Sequence, residues 1–110
     1  MTVSYPALDR TLTIDFGDDG PFGPFAADLT FSSADGTVSF LVTRGALEGK
    51  AETLPFDAQN VADGIWLVTW QEADLLTVVQ VQDFVNGRVT SAVTTADQSF
   101  VKLNGTITLA

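Results

Sequence analysis

The sequence predicts an all-β chain, a small closed antiparallel up-and-down β-barrel of about eight or nine strands. Short runs rich in Val, Ile, Leu, Thr and Phe recur at intervals of about 10 residues, and Gly, Asp and Asn cut them apart. No apolar period of a helix runs long enough to compete. Consecutive runs joined by tight turns make a meander, and closing a meander on itself removes its edges.

Each run can be justified in order. Residues 1–9 precede the pattern and read as a flexible arm or a short helix. Residues 10–16 alternate, with Leu12, Ile14 and Phe16 on one side. Residues 17–24 carry three Gly and two Pro and form a loop, since Pro removes ladder donors. Ala27, Leu29 and Phe31 then share a face, and the turn 33–36 ends in Asp35-Gly36, the pair that suits a type I′ hairpin. The return run, 37–44, puts Val38, Phe40, Val42 and Arg44 on one face. A connection at 45–49 leads to a run at 50–56. Turns at 62–64, 73–74, 85–87 and 96–98 separate runs at 65–72, 75–84, 88–94 and 99–103. Asn104-Gly105 is expected to break or bulge the chain before a last run at 106–110.

Composition limits function. The chain has 110 residues, the size of one domain (1–110), and a hydrophobic fraction of 45%, enough apolar surface to exclude disorder. No apolar run approaches the length that crosses a bilayer, and the N-terminus lacks a basic stretch followed by an apolar one. With 14 acidic against 5 basic side chains the net charge is −9, which repels phosphate backbones and anionic lipid; neither nucleic acid nor membrane is expected as a partner. Cysteine is absent, in keeping with a cytoplasmic location. Histidine is absent too, so Ser-His-Asp and Cys-His nucleophile systems are excluded, and no metal or cofactor is expected.

The remaining chemistry concentrates on residues 66–72. Two-residue periodicity sets Trp66, Val68, Trp70 and Glu72 on one face. If that face lines the lumen, a carboxylate held against indole rings is desolvated and suits general acid or base work. If Glu72 ends its strand beside the turn, it is simply solvated. Arg44 shares a face with Val38, Phe40 and Val42; inside a barrel it would meet Glu72 or a ligand carboxylate, whereas at a strand end it would extend into water. Lys50 is the second cationic candidate. Phe22 and Phe25, around Gly23-Pro24, suit a plug or lid at one barrel mouth. Asp15, Asp18 and Asp19 lack the spacing and terminal Glu of an EF-hand and read as a solvated turn.

Residues 63–74, followed by Val78 to Asn86-Gly87, resemble the MoaF-like proteins of the calycin superfamily, through a Gly-x-Trp-x-Val-x-Trp-x-Glu strand and an Asn-Gly hairpin. The resemblance runs from about Phe16 to Leu109 and implies a calycin or lipocalin-like barrel and a homodimer. A more distant likeness is to phenolic acid decarboxylases, in which the Trp-x-Glu strand supplies a catalytic glutamate; Glu72 matches it. Lys50 stands where that family has an arginine, which keeps the charge and loses the bidentate fork. Phe22 and Phe25 stand where it has a tyrosine pair, leaving no phenol to grip a substrate carboxylate.

Three function classes follow. The first is a binding module for a small apolar or aromatic molecule, carboxylate-bearing in one version, with Trp66, Trp70, Phe40, Arg44, Phe22 and Phe25 lining the site. The second is a lyase or isomerase with Glu72 as acid/base and Lys50 or Arg44 holding an anionic substrate. The third is a structural or dimerisation module.

Overall fold

The computed structural model describes residues 4–110. Eight strands form one closed barrel in sequence order: β1 (Thr11–Asp15), β2 (Phe25–Ser32), β3 (Thr37–Gly45), β4 (Ala51–Ala62), β5 (Ile65–Gln71), β6 (Thr77–Asp83), β7 (Arg88–Thr94) and β8 (Phe100–Leu109). Every neighbouring pair is antiparallel, and β8 closes on β1 through Leu12↔Leu109 to Asp15↔Thr106. Alternation does the sorting. Leu12, Ile14, Leu29, Phe31, Val38, Val68, Val89, Leu103 and Ile107 are buried in the interior, while Thr13, Thr30, Ser39 and Thr108 between them face out.

Neither the break nor the bulge expected at Asn104-Gly105 forms. β8 continues to Leu109 with its inside–outside alternation unbroken, so there are eight strands. Gly105 is needed for a different reason: a Cβ at that position would overlap the Asp15 backbone carbonyl across the β8–β1 seam. β4 is longer than the run at 50–56, because its pairing with β5 extends to Ala62↔Ile65. The turn at 33–36 also differs. Ser32 pairs with Thr37, and only Gly36 has a positive φ, of 67°. A type I′ turn needs two such residues, so a four-residue connection forms instead.

Residues 4–9 form neither a helix nor a free arm; residues 1–3 lie outside the described residues. Leu8 makes a parallel bridge to Phe31, and Tyr5 and Ala7 are buried. Tyr5 closes one end of the barrel at the centre of an aromatic cluster, with ring centroids 5.1 Å from Phe31, 5.4 Å from Trp66 and 5.8 Å from Phe84. That end is packed solid. The other end is hollow.

Candidate functional site

The hollow is a cavity of about 310 Å³ in the half of the barrel away from Tyr5. Its wall is built from the inward positions of β1, β2, β3, β5, β6, β7 and β8, and it is mainly apolar: Leu29, Phe40, Val42, Trp70, Val78, Val93 and Leu103. At the mouth stand Phe16, Phe22 and Phe25, with Phe25 stacked on Phe16 at 5.5 Å and edge-on to Phe22 at 5.9 Å. The Gly- and Pro-rich connection between β1 and β2 thus folds its aromatic side chains back over the opening.

The polar side of the mouth is organised by Lys50. β3 and β4 are held at this end by the bond from Val42 N–H to the Lys50 carbonyl, 2.8 Å, and the Lys50 side chain joins the cavity wall. Its ammonium donates to Glu72 Oε1 at 2.6 Å and to Asp74 Oδ2 at 2.8 Å, and Glu52 Oε2 lies 3.7 Å away. The second oxygen of Glu72 accepts from the Trp70 indole N–H at 3.2 Å. Glu52 in turn accepts from the Ala73 amide at 2.9 Å, tying β4 to the β5–β6 turn. Three carboxylates surround one ammonium, so the rim is net negative. Burial alone would pull the Lys50 ammonium down, but hydrogen bonds and charges from Asp74 and Glu72 outweigh it and hold the group above its ordinary value. The hydrogen bond from Lys50, against a smaller effect of burial, holds the Asp74 carboxyl below its ordinary value.

The sequence-derived candidates divide into two groups. Trp70, Phe40, Phe22, Phe25, Lys50 and Glu72 all contribute to the cavity wall, and the Glu72 side chain is only 9% exposed. Trp66 also faces inward, but it packs against Tyr5 below the cavity and does not reach it. Arg44 corrects a second expectation, since it points away from the lumen. Ala26 pairs with Arg44 and Ala27 with Val42, so Thr43 is an extra residue in β3. A bulge of one residue reverses the facing of everything beyond it. Arg44 therefore lies on the outer wall, bonded to Asp15 at 3.3 Å and to Asp18. Two of the acidic residues read as a solvated turn are its partners.

Sequence reasoning missed a buried polar column. Gln80, Gln82 and Ser91 are 3%, 0% and 1% exposed, and Gln80 and Ser91 line the cavity. They share the inward face with Val78 and Val89; the signal was a glutamine pair at inward spacing within an otherwise apolar register.

An eight-stranded antiparallel meander, stopped at one end and hollow at the other, is a calycin-like barrel with a lumen. The family model described as MoaF-like matches residues 19–108, and the chain belongs to the MoaF-like family. No curated protein matches it. Among solved structures it is similar to a protein from Burkholderia vietnamiensis described as "a putative beta-lactamase", with 24% identity, a TM-score of 0.85, and coverage of 99% of this chain and 100% of that one. That likeness is one of fold.

Proposed function

We propose that the protein is a small-molecule-binding barrel whose lumen takes one compact apolar or aromatic molecule. The observation that carries this reading is the cavity itself, about 310 Å³, enclosed by apolar and aromatic walls with few polar groups at fixed places. The mouth does not favour a carboxylate-bearing ligand. Arg44 is on the outer wall, and the Lys50 ammonium is already engaged by Glu72 and Asp74. Titration with a neutral environment-sensitive dye such as N-phenyl-1-naphthylamine tests the proposal. Saturable 1:1 enhancement is expected, and it should vanish in Ala27→Trp, which fills the hollow, while the circular dichroism keeps its β signature. An equal response from both proteins would refute the reading.

One contact favours a second reading. Glu72 lies 2.6 Å from Lys50 in the cavity wall, and on this reading it takes a proton from a bound molecule, as a lyase or isomerase requires. On this reading Glu72→Gln removes turnover of a substrate while dye affinity is retained. Hydrolysis of β-lactams has less support. Ser91 is the one serine of the cavity wall, no base is bonded to it among the described residues, and the chain has neither His nor Cys.

A further inference from the structure

The column beneath the cavity restricts the chemistry of what the lumen can hold; the argument rests on the reading of that lumen as a ligand site. Tyr5 lies at the bottom, and its hydroxyl donates to Gln82 Oε1. Burial pushes the phenol far above its ordinary value, with the Gln82 bond a smaller opposing effect, so the hydroxyl keeps its proton. With Oε1 occupied from below, the Gln82 amide nitrogen faces upward and donates to Gln80 Oε1 at 2.8 Å. That bond turns the Gln80 amide so that Nε2 is its outer end. Flipping both amides would reverse the column, but it would leave the Tyr5 hydrogen without an acceptor in a dry site, a costly loss. The hydroxyl therefore fixes the direction of the whole chain.

Gln80 Nε2 has no protein partner among the described residues. No fully enclosed side-chain nitrogen or oxygen among the described residues lacks one, so this N–H group opens on the cavity that Gln80 lines. The floor of an apolar hollow thus presents this amide donor beside the hydroxyl of Ser91, its cross-strand neighbour, and a carbonyl oxygen, with two lone pairs, can accept from both. A carboxylate is poorly suited to meet it: the donor is neutral, and the approach passes Glu52, Glu72 and Asp74. A ligand hydroxyl would bring a hydrogen that also needs placing. A carbonyl oxygen accepts and brings nothing more.

We infer that the lumen selects neutral carbonyl compounds on a compact aromatic or alicyclic body, bound with the carbonyl oxygen on the Gln80 amide and with Tyr5 as the positioning residue. Three probes with one body test this: 2-acetylnaphthalene, 2-ethylnaphthalene and 2-naphthoate, each measured by calorimetry. The acetyl-to-ethyl affinity ratio is expected to fall about 3- to 10-fold in Gln80→Leu, the range of one neutral hydrogen bond. Tyr5→Phe keeps the aromatic packing; it should lower the same ratio while leaving the Kd of 2-ethylnaphthalene unchanged, which a merely structural role would not do. The infrared carbonyl stretch of bound 2-acetylnaphthalene should move to lower wavenumber in the wild-type protein and return in either variant. An unshifted stretch in the wild-type protein, a ratio indifferent to both variants, or 2-naphthoate as the tightest probe overturns the inference and leaves apolar binding standing. Failure of every probe and of the neutral dye removes the lumen reading and this inference with it.

Discussion

Lys50 holds together acids that would otherwise repel one another at close range. Its side chain is 24% exposed and that of Glu72 only 9%, so solvent screens the pair incompletely. Replacing it by methionine leaves Glu52, Glu72 and Asp74 facing each other without a counter-charge. The expected cost is about 1–2 kcal/mol in urea-induced unfolding, between the values for surface and buried pairs. Lys50→Arg should recover part of that loss. Arg44 makes the opposite case. Its partners Asp15 and Asp18 are well exposed, and Arg44→Ala should change stability by less than about 1 kcal/mol and leave dye affinity unaltered. Nothing in residues 37–44 announces the extra residue at Thr43, because a bulge depends on pairing with β2 rather than on β3 alone. Periodicity sets Trp66 and Trp70 on the inner side because β5 is regular throughout, with an alternating burial pattern, and Glu72, the residue after its end, keeps the same phase.

At the level of elements, turn chemistry and alternation were legible and long-range closure was not. The eight strands follow from apolar residues at every second position and from the Gly, Asn and Asp between them. Gly105 was readable only as a breaker; its actual role, letting β8 pass close to the Asp15 carbonyl, belongs to a partner strand about ninety residues away in sequence. Gly105→Ala should therefore destabilise the closed barrel by about 1–3 kcal/mol in chemical denaturation. Residues 4–9 were misread for a related reason. Tyr5-Pro6-Ala7-Leu8 has too few residues to show a period, yet Tyr5 completes an aromatic cluster drawn from β2, β4, β5 and the β6–β7 turn. Tyr5→Ala should cost about 3 kcal/mol or more, since it opens a void and removes the partner of Gln82.

Across the whole molecule, 14 acidic groups against 5 basic ones give stability a pH window. The Asp74 carboxyl is depressed below 3.8 on folding. Its contribution is complete above that value and is lost as the pH falls through the folded one. The Asp97 carboxyl, bonded first by the Thr95 hydroxyl and held to about 2, has the same sign, as do Asp9 and Asp83. Lys50 is raised above 10.5, so its share is complete below that value and disappears as the pH climbs through the folded one. Tyr5 acts in the same direction, because the unfolded phenol ionises near 10.0 while the buried one does not. Thermal unfolding followed from pH 2 to 11 should show a plateau between these limits. Asp74→Asn should soften the acid limb without abolishing it, and Tyr5→Phe should soften the alkaline one. The aromatic stopper at one pole has a further kinetic consequence. A vessel with a single neck loads and empties by the same route, so Phe22→Ala should quicken arrival and departure of a guest together, and stopped-flow traces should change far more than the equilibrium titration.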